Sequence, residues 1–161
     1  MSYALFAQRK LVLDNQLNAT QLQQTQRSNE QYQLATNSMS LQQKLSALQT
    51  NQALRLQPLY EKMANSGSKT DAQGNVTTDP ELAETEMKQY QAEISKMQAA
   101  FKLEEQAINQ EIYLVGIKEN AIEMEVKRLE TQVSTLEKQL EKVEEAEGSA
   151  IDRATPQFKA K

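Results

Sequence analysis

Two pairs of adjacent carboxylates, Glu104 with Glu105 and Glu144 with Glu145, are the side chains best suited by type to act as acid and base. Such catalysis needs a cleft that desolvates one partner and separates the two pKa values. Neighbouring glutamates on an exposed helix point in different directions into water, so these pairs are expected to be solvated charge. A second arrangement is the loop "DAQGNVTTDPEL", where Asp71, Gln73, Asn75, Thr77 and Asp79 alternate as in a calcium-binding loop. Glycine stands fourth instead of sixth, however, and Leu82 takes the place of the bidentate glutamate. An ordinary polar turn is expected there. The triplets Asn18-Ala19-Thr20 and Asn75-Val76-Thr77 match the N-glycosylation acceptor pattern, but nothing in the chain points to the secretory pathway.

The composition removes whole classes of chemistry. Cysteine and histidine are both absent. Thiolate and imidazole catalysis are therefore excluded, as are zinc, iron–sulfur and haem sites built on those ligands. No glycine-rich phosphate loop or nucleophile elbow occurs. The expectation is a protein that is not an enzyme and uses no cofactor or metal.

The elements that carry these residues are long helices. Only 4 glycines and 3 prolines punctuate 161 residues, and Gly67, Gly74 and Pro80 cluster within one short segment. A sheet-rich fold of this length needs more turns than that. The second half holds a seven-residue row of nine apolar positions: Met87, Ile94, Phe101, Ile108, Val115, Ile122, Leu129, Leu136 and Val143. Its companion row contains Tyr90, Met97, Ile112, Val126, Val133 and Leu140, and thins at Glu104, Glu105 and Glu111. A period of seven sustained this long specifies a left-handed coiled coil. Asp79 suits an N-cap, Pro80 the first helical position and Glu81 the positive end of the helix dipole. Gly148 reads as the stop.

The first half repeats more weakly. Leu34, Leu41 and Leu48 lie seven apart, with Leu45, Leu59 and Met63 beside them and an earlier patch of Phe6, Leu13 and Leu17. Between the patches, residues 18–38 read "NATQLQQTQRSNEQYQLATNS", which can be helical but has little to bury. The expected fold is all-α, an elongated antiparallel coiled-coil hairpin of two long helices. Residues 1–64 form the first helix, frayed near its start. Residues 65–79 form a polar turn with a small β-hairpin, residues 80–147 the second helix, and residues 148–161 a tail.

Charge is uneven. Residues 1–60 carry five bases against two acids, and residues 79–147 carry 17 acids against 8 bases. Opposite balances suit segments lying side by side. No basic stripe with interleaved aromatics marks a nucleic-acid partner, and no apolar run approaches a membrane span. The cytoplasm is the default compartment, with export by a route lacking a cleaved signal peptide left open.

The opening "ALFAQRKL" resembles the start of bacterial flagellins over that stretch alone. A hairpin of long helices with Gln, Asn, Ser and Thr crowded toward its start is similar to subunits exported through type III secretion systems. The function expected is a structural, self-assembling coiled-coil subunit of a filament or secretion-type apparatus. The alternative is a cytosolic adaptor or chaperone that holds a partner through an apolar seam. If Met63 folds back beside Leu82, Leu48 meets Met97, Leu17 meets the vicinity of Leu129, and the glutamine-rich stretch faces "IYLVGI" at 112–117. That run would be an apolar cuff. Ile112, Tyr113, Leu114, Val115 and Ile117 are thus candidate contacts with another copy of this chain or another helical protein, with the glutamines as its polar border. Phe158 in the tail is a further candidate docking residue.

Overall fold

The computed structural model of the chain describes residues 3–154. In chain order these form helix α1 (Tyr3–Ala64), strand β1 (Ser68–Thr70), strand β2 (Val76–Thr78) and helix α2 (Pro80–Ala154). The two helices pack against each other as a hairpin. The chain divides into two compact units, one of Thr36–Gly116 and one of Met1–Ala35 with Ile117–Lys161.

The first unit contains the reversal. After α1, the Ser66 N–H donates to the Met63 carbonyl at 3.2 Å, tightening the last turn. Gly67 then adopts a left-handed conformation (φ +75°), and a Cβ built there would lie 2.6 Å from both the Ala83 Cβ and the Asp79 carbonyl oxygen. Only glycine satisfies both demands. Its N–H donates to the Glu86 carboxylate at 2.8 Å, and its carbonyl accepts from the Asp79 N–H at 2.9 Å.

The short β1–β2 ladder pairs Ser68 with Thr78, Lys69 with Thr77 and Thr70 with Val76, antiparallel. Its turn is held by Asp71, whose carboxylate accepts from the amides of Gln73 at 3.0 Å and Asn75 at 2.8 Å. Asp79 caps α2, accepting from the amides of Glu81 at 3.1 Å and Leu82 at 3.3 Å. Its other oxygen takes the Lys69 ammonium at 2.8 Å. Two acids of the supposed calcium loop are therefore occupied as backbone caps.

Further along this unit, the buried and half-buried positions trace a coiled-coil seam. On α1 they are Leu41, Leu45, Leu48, Gln52, Leu56, Leu59 and Met63; on α2 they include Ile94, Met97, Phe101, Glu105, Ile108 and Ile112. Steps of three and four alternate for the most part, with two four-residue steps in succession at one level on each helix, besides a further succession on α2 at Glu86, Tyr90 and Ile94 near the turn. On α1 this happens at Leu48, Gln52 and Leu56, and on α2 at Met97, Phe101 and Glu105. Such an insertion of four residues is a stutter, which locally unwinds the supercoil. Counting equal steps from the contact of Gly67 with Glu86 brings the two stutters to the same level. The thinning seen in the sequence at Glu105 is this stutter. Pro58 lies within α1, where it lacks the N–H that would bind the Leu54 carbonyl. Leu54 is exposed, so water can take that carbonyl.

In the second unit, Leu13, Leu136 and Val143 form a buried cluster packed by Phe6, Leu17 and Leu140. Lys10 pairs with Glu144 at 2.8 Å, and Arg27 with Glu125 at 3.2 Å. α2 does not stop at Gly148 but continues to Ala154. Gly148 is not in the left-handed conformation that a glycine cap requires, and a helical glycine costs only about 1 kcal/mol.

The expected register is wrong by about one heptad. Leu17 joins the cluster of Leu136, not the vicinity of Leu129. Met97 shares a groove with Pro58 and Leu59 instead of meeting Leu48. The cause is the reversal itself: α1 continues through Ser66 and Gly67 before folding back, so Gly67 rather than Met63 stands beside the first turn of α2.

Candidate functional site

The register correction decides what the candidate residues do. Within the unit Thr36–Gly116, Leu41 comes level with Ile112, and Leu41 is buried. Ile112 is half-buried and Val115 is 7% exposed. Both belong to the seam with α1 and are withdrawn as contacts with a partner. Tyr113 and Leu114 stay outside at 69% and 56% exposure, and so does Ile117 at 48% in the other unit. Among the described residues, a Cβ at Gly116 would meet nothing within 4 Å outside its own turn of helix, so no second backbone approaches there. Phe158 lies outside the described residues.

The glutamine-rich stretch does not border a cuff. Arg27 pairs with Glu125 and, at 2.6 Å, with Glu30. These contacts bring the stretch opposite Ile122, Val126, Leu129 and Val133, all buried or half-buried on α2. Thr20 is itself buried, its hydroxyl donating to the Gln16 carbonyl at 2.8 Å.

No protein-family model matches this chain, and no curated protein or solved structure is similar to it. Any reading of the site therefore rests on its own chemistry.

That chemistry lies on the outer face of α2. Leu103, Ala107, Gln110, Leu114, Ile117, Ala121 and Met124 are all exposed, and their spacing alternates four and three residues. α2 is one unbroken helix through this stretch, so heptad spacing puts them on a single stripe, away from the row of Ile108, Val115, Ile122 and Leu129. The signal was present in the sequence as a second seven-residue row of Leu103, Gln110, Ile117 and Met124. It was overshadowed by the longer, more apolar row beside it.

Other surfaces offer less. A groove of about 460 Å³ in the unit Thr36–Gly116 is lined by Pro58, Leu59, Met97 and Ala100 together with Arg55, Glu93 and Lys96. Its lining surface is mainly apolar and it is open to solvent, unlike the enclosed cleft that holds a small molecule. Among the described residues no cluster of His, Cys, Asp or Glu could hold a metal ion, and no helix is long and apolar enough to cross a membrane. The displaced carboxyls are caps and ion-pair partners. Asp79 is held below its ordinary value by the Lys69 ammonium and then by the Leu82 amide. Asp71 is held low by the Asn75 amide, and Glu123 by Lys127.

Proposed function

We propose that the protein is a non-enzymatic, self-assembling coiled-coil subunit with a structural role. The observation that carries this reading is the second apolar stripe on α2, whose large apolar side chains, from Leu103 to Met124, remain 48–69% exposed after α1 has covered the opposite face. A helix needs only one apolar stripe to hold a two-helix hairpin. A second heptad stripe serves another helix, because contiguous exposed apolar surface marks an interface. The absence of cysteine and histidine supports a role in assembly over one in chemistry.

Concentration-dependent sedimentation of the full chain tests this. Oligomers that dissociate when Leu114→Ser and Ile117→Ser are combined, with helicity kept by circular dichroism, are the expected result. A monomer at every concentration would instead favour an adaptor that binds a different helical protein.

A further inference from the structure

We infer that the partner of this stripe is the same stripe of a second copy, with the two α2 helices antiparallel about a two-fold axis between Val115 and Gly116. The inference rests on the self-assembly reading above and adds the partner, the direction and the register.

A two-fold contact requires a surface complementary to itself, and this stripe has that property. Reversing α2 about the axis brings Leu114 against Ile117 of the second copy, and Ile117 against its Leu114. The next layers put Gln110 against Ala121 and Ala107 against Met124, so each larger side chain meets a smaller one. A single polar residue among apolar layers can fix the register of a coiled coil. Gln110 holds that place here, and the small Ala121 opposite leaves its amide a path to water.

The flanking charges select the direction. Glu111 and Lys118 border the central layers, both are exposed, and neither joins an ion pair within the described residues. Their neighbours three and four positions away on α2 are Ala107, Ile108, Leu114, Val115, Ala121 and Ile122, none of opposite charge. In the antiparallel pair Glu111 meets Lys118 of the second copy, and symmetry repeats the contact. A slip of one heptad in one direction would put Glu111 against itself. A parallel pair would set Glu111 against the opposite flank, where Gln106, Tyr113 and Asn120 stand. One like-charge contact arises at the margin, Glu104 with Glu125 of the second copy. Glu125 shares the Arg27 guanidinium, 3.2 Å away, with Glu30, which offsets part of its charge.

Charge reversal tests the pairing without disturbing the buried seam. In the full chain, Glu111→Lys sets two lysines against each other across both symmetric contacts, and Lys118→Glu does the same with two glutamates. Either variant alone is expected to weaken dimerisation about tenfold or more, since each exposed pair contributes up to about 1 kcal/mol and is here turned repulsive. Mixed together, the two variants should form a heterodimer, because every flanking contact is then between opposite charges. The double variant E111K/K118E should recover wild-type affinity. If wild-type protein assembles but the single variants assemble equally well, or the mixture forms no heterodimer, this pairing is overturned while self-assembly stands. If wild-type protein is monomeric throughout, both readings fall.

Discussion

Two neighbouring stretches of the same unit are built from different materials. Near the chain ends, Phe6, Leu13 and Leu17 of α1 meet Leu136, Leu140 and Val143 of α2, apolar on apolar. One step inward, α1 offers Thr20, Gln24, Arg27 and Gln31 to an α2 face that is still apolar, including Leu129 at 1% exposure. Both stretches remain helical and paired. The difference teaches that α2 alone carries the apolar pattern here, and that α1 can follow it with the stems of long polar side chains. A glutamine stem covers apolar surface while its amide reaches water, so residues 18–38 close the seam with less apolar burial.

The largest blow to this comparison is struck from the α2 side. Leu129→Ala removes the most buried side chain, opposite the polar stretch, and should cost about 3 kcal/mol, read as a lower denaturation midpoint at unchanged slope. A cost under about 1 kcal/mol would mean that the polar side makes no real seam there. Converting that side to the apolar kind should act in the opposite direction. Gln24→Leu, half-buried across from Leu129, should raise stability by about 1 kcal/mol, less than the roughly 1.5–3 kcal/mol of a fully buried apolar side chain. A smaller effect concerns local opening. Amide hydrogens at residues 21–31 should exchange faster than those at residues 41–48, because less apolar area holds that stretch of α1 down. Equal protection would show that the glutamines pack as well as leucines.

The smallest effect lies at the turn and depends on pH. The folded-state pKa values of Asp71 and Asp79 are lowered by their backbone and lysine partners. Their contribution is thus complete above the unfolded value of about 3.9 and is lost as pH falls through the lowered folded values. Acid titration followed by amide chemical shifts should move Asn75 and Leu82 below about pH 4, while the buried seam near Leu129 stays in place over the same first steps.

The sequence disclosed the material of the seam better than its alignment. Ile94, Phe101, Val115, Leu129, Leu136 and Val143, chosen by period alone, are all buried, because a seven-residue repeat and a covered face are one geometric fact. Asp79 was legible as a cap from its position before Pro80. The level at which the helices meet was not, because it depends on where Gly67 turns left-handed, and a heptad repeat looks the same after a shift of seven. Ile112 and Val115 were misassigned for that reason: both stand on the periodic rows and are covered, but the mistaken level had set the glutamine-rich stretch opposite them. Gly148 misled differently, since glycine permits a stop without compelling one. The outer stripe of Leu103, Leu114, Ile117 and Met124 was visible only in part, as Leu114 and Ile117, because its alanines and glutamine carry little hydrophobic signal.

The paired stutters at Gln52 and Phe101 have a mechanical consequence. Two uniform heptad helices resemble a zip fastener with identical teeth, which can close one tooth out of place and still close. Here each side carries an irregular tooth midway along, at Gln52 and at Phe101, and these two face each other in the observed alignment. Sliding α1 by seven residues would still set leucines against apolar positions over much of Leu41–Met63, yet would move the Gln52 stutter away from the one at Phe101. The irregularity works as a key in a lock: it makes the neighbouring alignments worse without adding any contact to the right one.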